Sequence, residues 1–168
     1  MAYRNKVYVA FDGKKDITYY ELLTAWAANT NIDFDLNDAH DLNTAADSSQ
    51  EESIKKELRI RFANSKLFIL LIGESTRFKT KFVKWEIETA IRLKLPVICI
   101  NLNGSQTNDA RMPPVLKNEL AIYIPFKYKI IKYAMDNWPT SDKQYRKDGK
   151  TGPYHYNNSV YERLELND

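Results

Sequence analysis

The sequence predicts an α/β domain built on a five-stranded parallel sheet with helices on both faces, followed by a tyrosine-rich C-terminal extension. Three observations lead there. Short apolar runs alternate along the chain with longer segments of helical periodicity, the βαβ pattern of a parallel sheet. One of the runs, Leu67–Ile72 (LFILLI), is unbroken, as in strands buried on both faces, and Pro96–Leu102 (PVICINL) reads as another buried strand. The 168 residues suffice for one domain with a real core, and 43% hydrophobic with 28% charged residues argues against long disorder.

In chain order, Lys6–Phe11 (KVYVAF) reads as a buried strand that stops at the turn signal Asp12-Gly13. Residues 17–29 have helical spacing, with Tyr19, Leu22, Leu23 and Trp26 near one face. Ile32–Leu36 is a short second strand, and the polar stretch Asn37–Ser49 is too long for a passive turn. Ser49-Gln50-Glu51-Glu52 forms a capping box, so a helix should run to about Asn64 and bury Ile54, Leu58 and Phe62. Leu67–Ile72 is the third strand, a helix covers about 81–94, and Pro96–Leu102 is the fourth strand. A loop over 103–114 and a short helix near 114–119 lead to the fifth strand, Ala121–Pro125. We divide the chain into a 1–125 α/β domain and a 126–168 extension packed on it. The extension opens with a helix over Tyr128–Asn137 and then loses clear periodicity.

Composition excludes several classes. Lys and Arg total 25 against 22 acidic residues, a net charge of +3 too small to imply nucleic acid. The basic clusters at Lys55, Lys56, Arg59 and Arg61 and at 127–132 carry no base-stacking motif. The lone cysteine, Cys99, rules out an internal disulfide framework and reads as a buried core thiol. With only His40 and His155 beside it, no zinc or other metal site is expected. No run approaches the roughly 20 apolar residues of a membrane span, and a signal-peptide core is lacking, so the expected location is cytoplasmic.

In an open parallel sheet, ligands bind beyond the carboxyl ends of the strands, where strand order reverses. The candidates are therefore Asp12–Asp16, the loop after residue 36, Gly73–Arg77 and the start of the 81–94 helix. The first turn, Asp12-Gly13-Lys14-Lys15-Asp16, is not G-x-G-x-x-G, and no P-loop or G-x-S-x-G elbow occurs. A phospho-receiver would end its third strand in aspartate; here that strand ends in Ile72-Gly73. One carboxylate stands out. Glu88 sits between Lys84 and Arg92 in an ordinary ion-pair ladder, whereas Glu86 has Phe82, Val83 and Ala90 at its helical neighbours.

The first strand and turn, VYVAFDGKKD, and the block IGESTRFKTKFVKWEIETAIRLKLPVICINLN resemble the TIR-like family. The similarity spans roughly residues 3–125 and is nearest the branch containing the TIR subunit of the bacterial Thoeris anti-phage defence system. It implies a flavodoxin-like sheet and, for the enzymatic members, cleavage of the nicotinamide–ribose bond of NAD+. In Thoeris it implies a cyclic or modified ADP-ribose messenger that diffuses to a separate effector. NAD+ is then a substrate, and no cofactor is expected. The family's catalytic glutamate maps onto Glu86, within Phe82-Val83-Lys84-Trp85-Glu86-Ile87. Phe11 and Asp16 match the first family motif, whereas Asp12-Gly13 replaces its usual small polar pattern. Asp12, Ser75, Thr76, Arg77 and Trp85 complete the expected NAD+ contacts, with Lys79 and Lys81 nearby. Asp38, His40 and Asp41 fall in the loop through which such domains often self-associate or gate the site. The alternative reading is a non-catalytic TIR-like module that binds other proteins or a nucleotide.

Overall fold

Six parallel strands form one sheet in the order β2-β1-β3-β4-β5-β6 in the computed structural model, which describes residues 5–30, 34–35 and 48–166. The strands are β1 (Val7–Ala10), β2 (Phe34–Asp35), β3 (Leu67–Ile72), β4 (Val97–Asn101), β5 (Ala121–Pro125) and β6 (Pro153–His155). The described helices are α1 (Ile17–Thr30), α2 (Ser48–Asn64), α3 (Val83–Arg92), α4 (Tyr128–Lys147) and α5 (Asn158–Arg163). The loop residues Asp38, His40 and Asp41, and the capping side chain of Ser49, lie outside what the structure describes.

The five expected strands are present, and strands β1, β3, β4 and β5 are buried along their whole length. Alternate residues divide between two cores. Val7 and Val9 of β1, with Phe11 just past it, join α1, α4 and α5 on one face, whereas Tyr8 and Ala10 join α2 and α3 on the other. On α2, Ile54, Leu58 and Phe62 are buried, as their spacing predicts.

Three elements differ from expectation. On α1 the buried positions are Tyr20, Leu23 and Ala27, while Tyr19 and Leu22 are exposed; the stripe is rotated from the one predicted. A segment rich in apolar residues offers two possible faces, and contact with Phe11 and the sheet selects between them. The second difference is β6, which continues the sheet beyond β5. Third, the tail helix does not stop at Asn137 but runs on to Lys147 through Pro139. Proline in a helix interior costs about 3 kcal/mol. The packing of Ile130, Ile131, Ala134, Met135 and Trp138 against the sheet offsets that cost, since fully burying a large apolar side chain contributes about 1.5–3 kcal/mol. Beyond the proline, Asp142 pairs with Arg146 at 3.0 Å one turn on, and Arg146 also donates to the Leu95 carbonyl at 3.4 Å.

Candidate functional site

The order of strands reverses between β1 and β3, and a cleft of about 290 Å³ opens at their carboxyl ends. Its lining comes from Phe11–Lys14 after β1 and from Phe78–Val83 between β3 and α3. The β1 turn is closed by the Asp16 amide donating to the Asp12 carbonyl at 2.8 Å, which brings both aspartates to the strand end.

Asp12 is 3% exposed and held from three directions. The Lys14 amide donates to Oδ1 at 3.2 Å, the Ser75 hydroxyl donates to Oδ2 at 3.0 Å, and the Lys79 ammonium lies 3.8 Å from Oδ2. Ser75 thereby ties the turn after β3 to the turn after β1. Asp16 is buried beside it, and its Oδ2 has no hydrogen-bond partner among the described residues. Burial, and then the neighbouring Asp12 charge, push its carboxyl up from 3.8 to about 6; Lys15 and Arg111 pull the other way. Gly73 makes room for it, because a Cβ there would stand 2.7 Å from Asp16 Oδ1 and closer still to Oδ2.

Glu86 projects from the first turn of α3 and is 1% exposed. Its amide donates to the Phe82 carbonyl at 2.8 Å, so it sits one turn behind Phe82 and Val83 of the cleft wall. The Tyr8 hydroxyl donates to its Oε2 at 2.5 Å. The carboxylate therefore lies on the α2–α3 side of the sheet, beneath the cleft wall.

The remaining predicted residues separate. Phe11 reaches the cleft but stacks its ring on Tyr20 at 4.7 Å, on the opposite face of the sheet from Glu86. Thr76 is buried in the turn, where its hydroxyl accepts from the Gly73 amide at 2.8 Å and donates to the Leu71 carbonyl at 3.4 Å. Arg77 donates to the Ala110 carbonyl and lines a second cavity of about 130 Å³ with Pro113, Pro114 and Val115. Trp85 packs edge-on against Phe62, with Lys55 and Arg59 over its ring, on the α2 side of the helix. The structure thus joins Phe11, Asp12, Asp16 and Ser75 at one strand end, with Glu86 behind the cleft wall, and turns Arg77 and Trp85 toward other neighbours.

Residues 8–107 match the family model for the TIR-like domain of the Thoeris protein ThsB. The chain belongs to that family. The match covers β1 through the start of the loop after β4, so it includes every cleft residue and Glu86. The parallel sheet is consistent with the flavodoxin-like arrangement of a TIR-like domain, and β5, α4, β6 and α5 lie beyond the matched residues. Among the described residues, no helix is long and apolar enough to cross a membrane.

Three contributors escape the sequence reading. In sequence Tyr8 reads only as an apolar member of β1, although the hydroxyl of a buried tyrosine usually finds a partner. Phe82 and Val83 stand out in sequence only as neighbours of Glu86, whereas the structure makes them part of the cleft wall.

The cleft combines two kinds of polar group. The Asp12 carboxylate at its floor can accept from hydroxyls, while Lys14, Lys79 and Lys81 along its lining can meet anionic oxygens. A sugar joined to phosphate is the class of molecule that uses both.

Proposed function

We propose that this TIR-like domain cleaves the nicotinamide–ribose bond of NAD+ and converts the remainder into a cyclic or modified ADP-ribose signal. The observation that carries this reading is Glu86, a carboxylate 1% exposed at the start of α3, in a member of the ThsB TIR-like family. Burying a carboxylate is costly unless hydrogen bonds and neighbours hold it, so its retention beside a ligand cleft favours a chemical role.

Bond cleavage passes through an oxocarbenium-like ribose. Glycosidases use two carboxyl groups for such a state, one of them to protonate the leaving group. Nicotinamide departs from a cationic ring as a neutral molecule, so that donor can be dispensed with. A single carboxylate then suffices, holding ribose hydroxyls and stabilising positive charge as it develops. Glu86 takes this role. Asp12, steadied by Ser75 and Lys79, borders the ribose side, and the lysines attract the pyrophosphate. Exclusion of bulk water favours attack by a group of the same molecule over hydrolysis. NAD+ is the substrate, no cofactor is required, and the product acts in the cytoplasm on a separate effector of the defence system.

The test is NAD+ consumption by the purified chain beside Glu86→Gln, with products resolved by mass spectrometry and the assay repeated in lysate of phage-infected cells. Cleavage lost in the variant supports the enzyme, and the product mass distinguishes cyclisation from hydrolysis. No cleavage in either setting, with Glu86→Gln still protecting cells, would overturn it in favour of a non-catalytic interaction module.

A further inference from the structure

We infer that Tyr8 is a positioning residue for Glu86: its hydroxyl fixes which way the buried carboxylate points behind the cleft wall. This rests on the reading of Glu86 given above. Tyr8 lies in the middle of β1, is fully buried, and is joined to Glu86 across 78 residues of sequence by a 2.5 Å hydrogen bond. That length is at the short end of the range for a hydroxyl donating to a carboxylate.

The tyrosine is itself immobilised. Its ring stacks on Phe62 of α2 with centroids 3.8 Å apart and planes 12° from parallel, and Phe68 of β3 lies 5.9 Å away. The strand backbone on either side is paired to β2 and β3. Three elements, β1, α2 and β3, therefore hold one hydroxyl in place, and that hydroxyl holds the Glu86 side chain projecting from a fourth. A glutamate has three side-chain torsions, so a donor that engages one carboxylate oxygen selects among several rotamers. In the middle of a buried strand, phenylalanine would fill the same space and stack on Phe62; the hydroxyl adds an oriented donor that an apolar core does not need. Misplacing a reacting group by about 1 Å costs on the order of 100-fold in rate, which is the size of effect at stake.

The experiment compares the full-length wild type with Tyr8→Phe, which keeps the ring, and Phe62→Leu, which loosens the stack while keeping the hydroxyl. Carbon-13 labelling of glutamate carboxyls, with Glu86 assigned by the signal absent in Glu86→Gln, reports on the hydrogen bond without turnover. The Glu86 resonance should move in Tyr8→Phe, and the effects of Tyr8→Phe and Glu86→Gln on the urea midpoint should be non-additive. NAD+ turnover by Tyr8→Phe should show kcat reduced by roughly 10–100-fold with KM within about twofold. A merely structural role would make the loss in Phe62→Leu equal to or larger than that in Tyr8→Phe, and would overturn the inference. An unmoved Glu86 resonance with additive midpoints would also overturn it. A wild type that never cleaves NAD+, with the resonance and the midpoints behaving as expected, would instead sink the activity while leaving Tyr8 as the group that orients Glu86.

Discussion

Replacing Asp16 with asparagine should stabilise the folded protein at neutral pH. Asp16 is 7% exposed, its Oδ2 lacks a hydrogen-bond partner among the described residues, and burial together with Asp12 raises its carboxyl from 3.8 to about 6. The fold thus prefers the protonated form. The stability this group contributes is full below about pH 3.8 and is lost as pH rises through about 6. At about 1.4 kcal/mol for each pH unit, the displacement from 3.8 to about 6 sets a ceiling of about 3 kcal/mol. Solvent screening near the cleft reduces this to roughly 1–2 kcal/mol. Asparagine has nearly the same shape, stays neutral, and is equally acceptable before the first turn of α1. Urea unfolding between pH 4 and 8 reads the effect directly. Asp16→Asn should match the wild type near pH 4 and exceed it by about 1–2 kcal/mol at pH 7. Stability curves that run parallel across that interval would refute the reasoning, because the charge of Asp16 would then be well accommodated in the folded state.

Two further outcomes follow from the same geometry. Gly73→Ala places a Cβ 2.7 Å from Asp16 Oδ1 and closer still to Oδ2, so it should destabilise by about 1–3 kcal/mol, and Asp16→Ala in the same chain should restore most of that loss in thermal unfolding. Cys99 is fully buried in β4, where burial pushes its thiol up to about 12, so an aromatic disulfide reagent should label it in urea and leave the native protein unmodified for hours.

Much of the fold was legible because strands buried on both faces leave an unmistakable apolar run. Leu67–Ile72 and Ala121–Pro125 have the same bounds in the structure as in the sequence reading. Glu86 was legible for a related reason: a charged residue among Phe82, Val83 and Ala90 departs from helical patterning, and it proves to be buried. Where the pattern offered two answers, the sequence could not choose. On α1, apolar residues surround the helix, and only packing on Phe11 and the sheet decides that Tyr20 and Leu23 turn inward. In the tail, Pro139 signals a stop, and the favourable burial on both sides of it lies in contacts far away in sequence.

The site shows the same division. By themselves, the residues determined a parallel α/β sheet, a carboxylate at the start of its third helical segment, and polar turns at the strand ends. They could not determine which of those turns meet. That Ser75 reaches Asp12, 63 residues away, that Asp16 presses on Gly73, and that Arg77 and Trp85 turn to other partners are consequences of how the β1 and β3 turns lie side by side. The Tyr8–Glu86 bond belongs with these. A strand pattern records that position 8 is buried, but only the placement of α3 over β1 supplies the acceptor that makes its hydroxyl meaningful. Hydrophobic burial is written locally, in the period of each segment, whereas directional polar contacts depend on distances that exist only after the segments have packed.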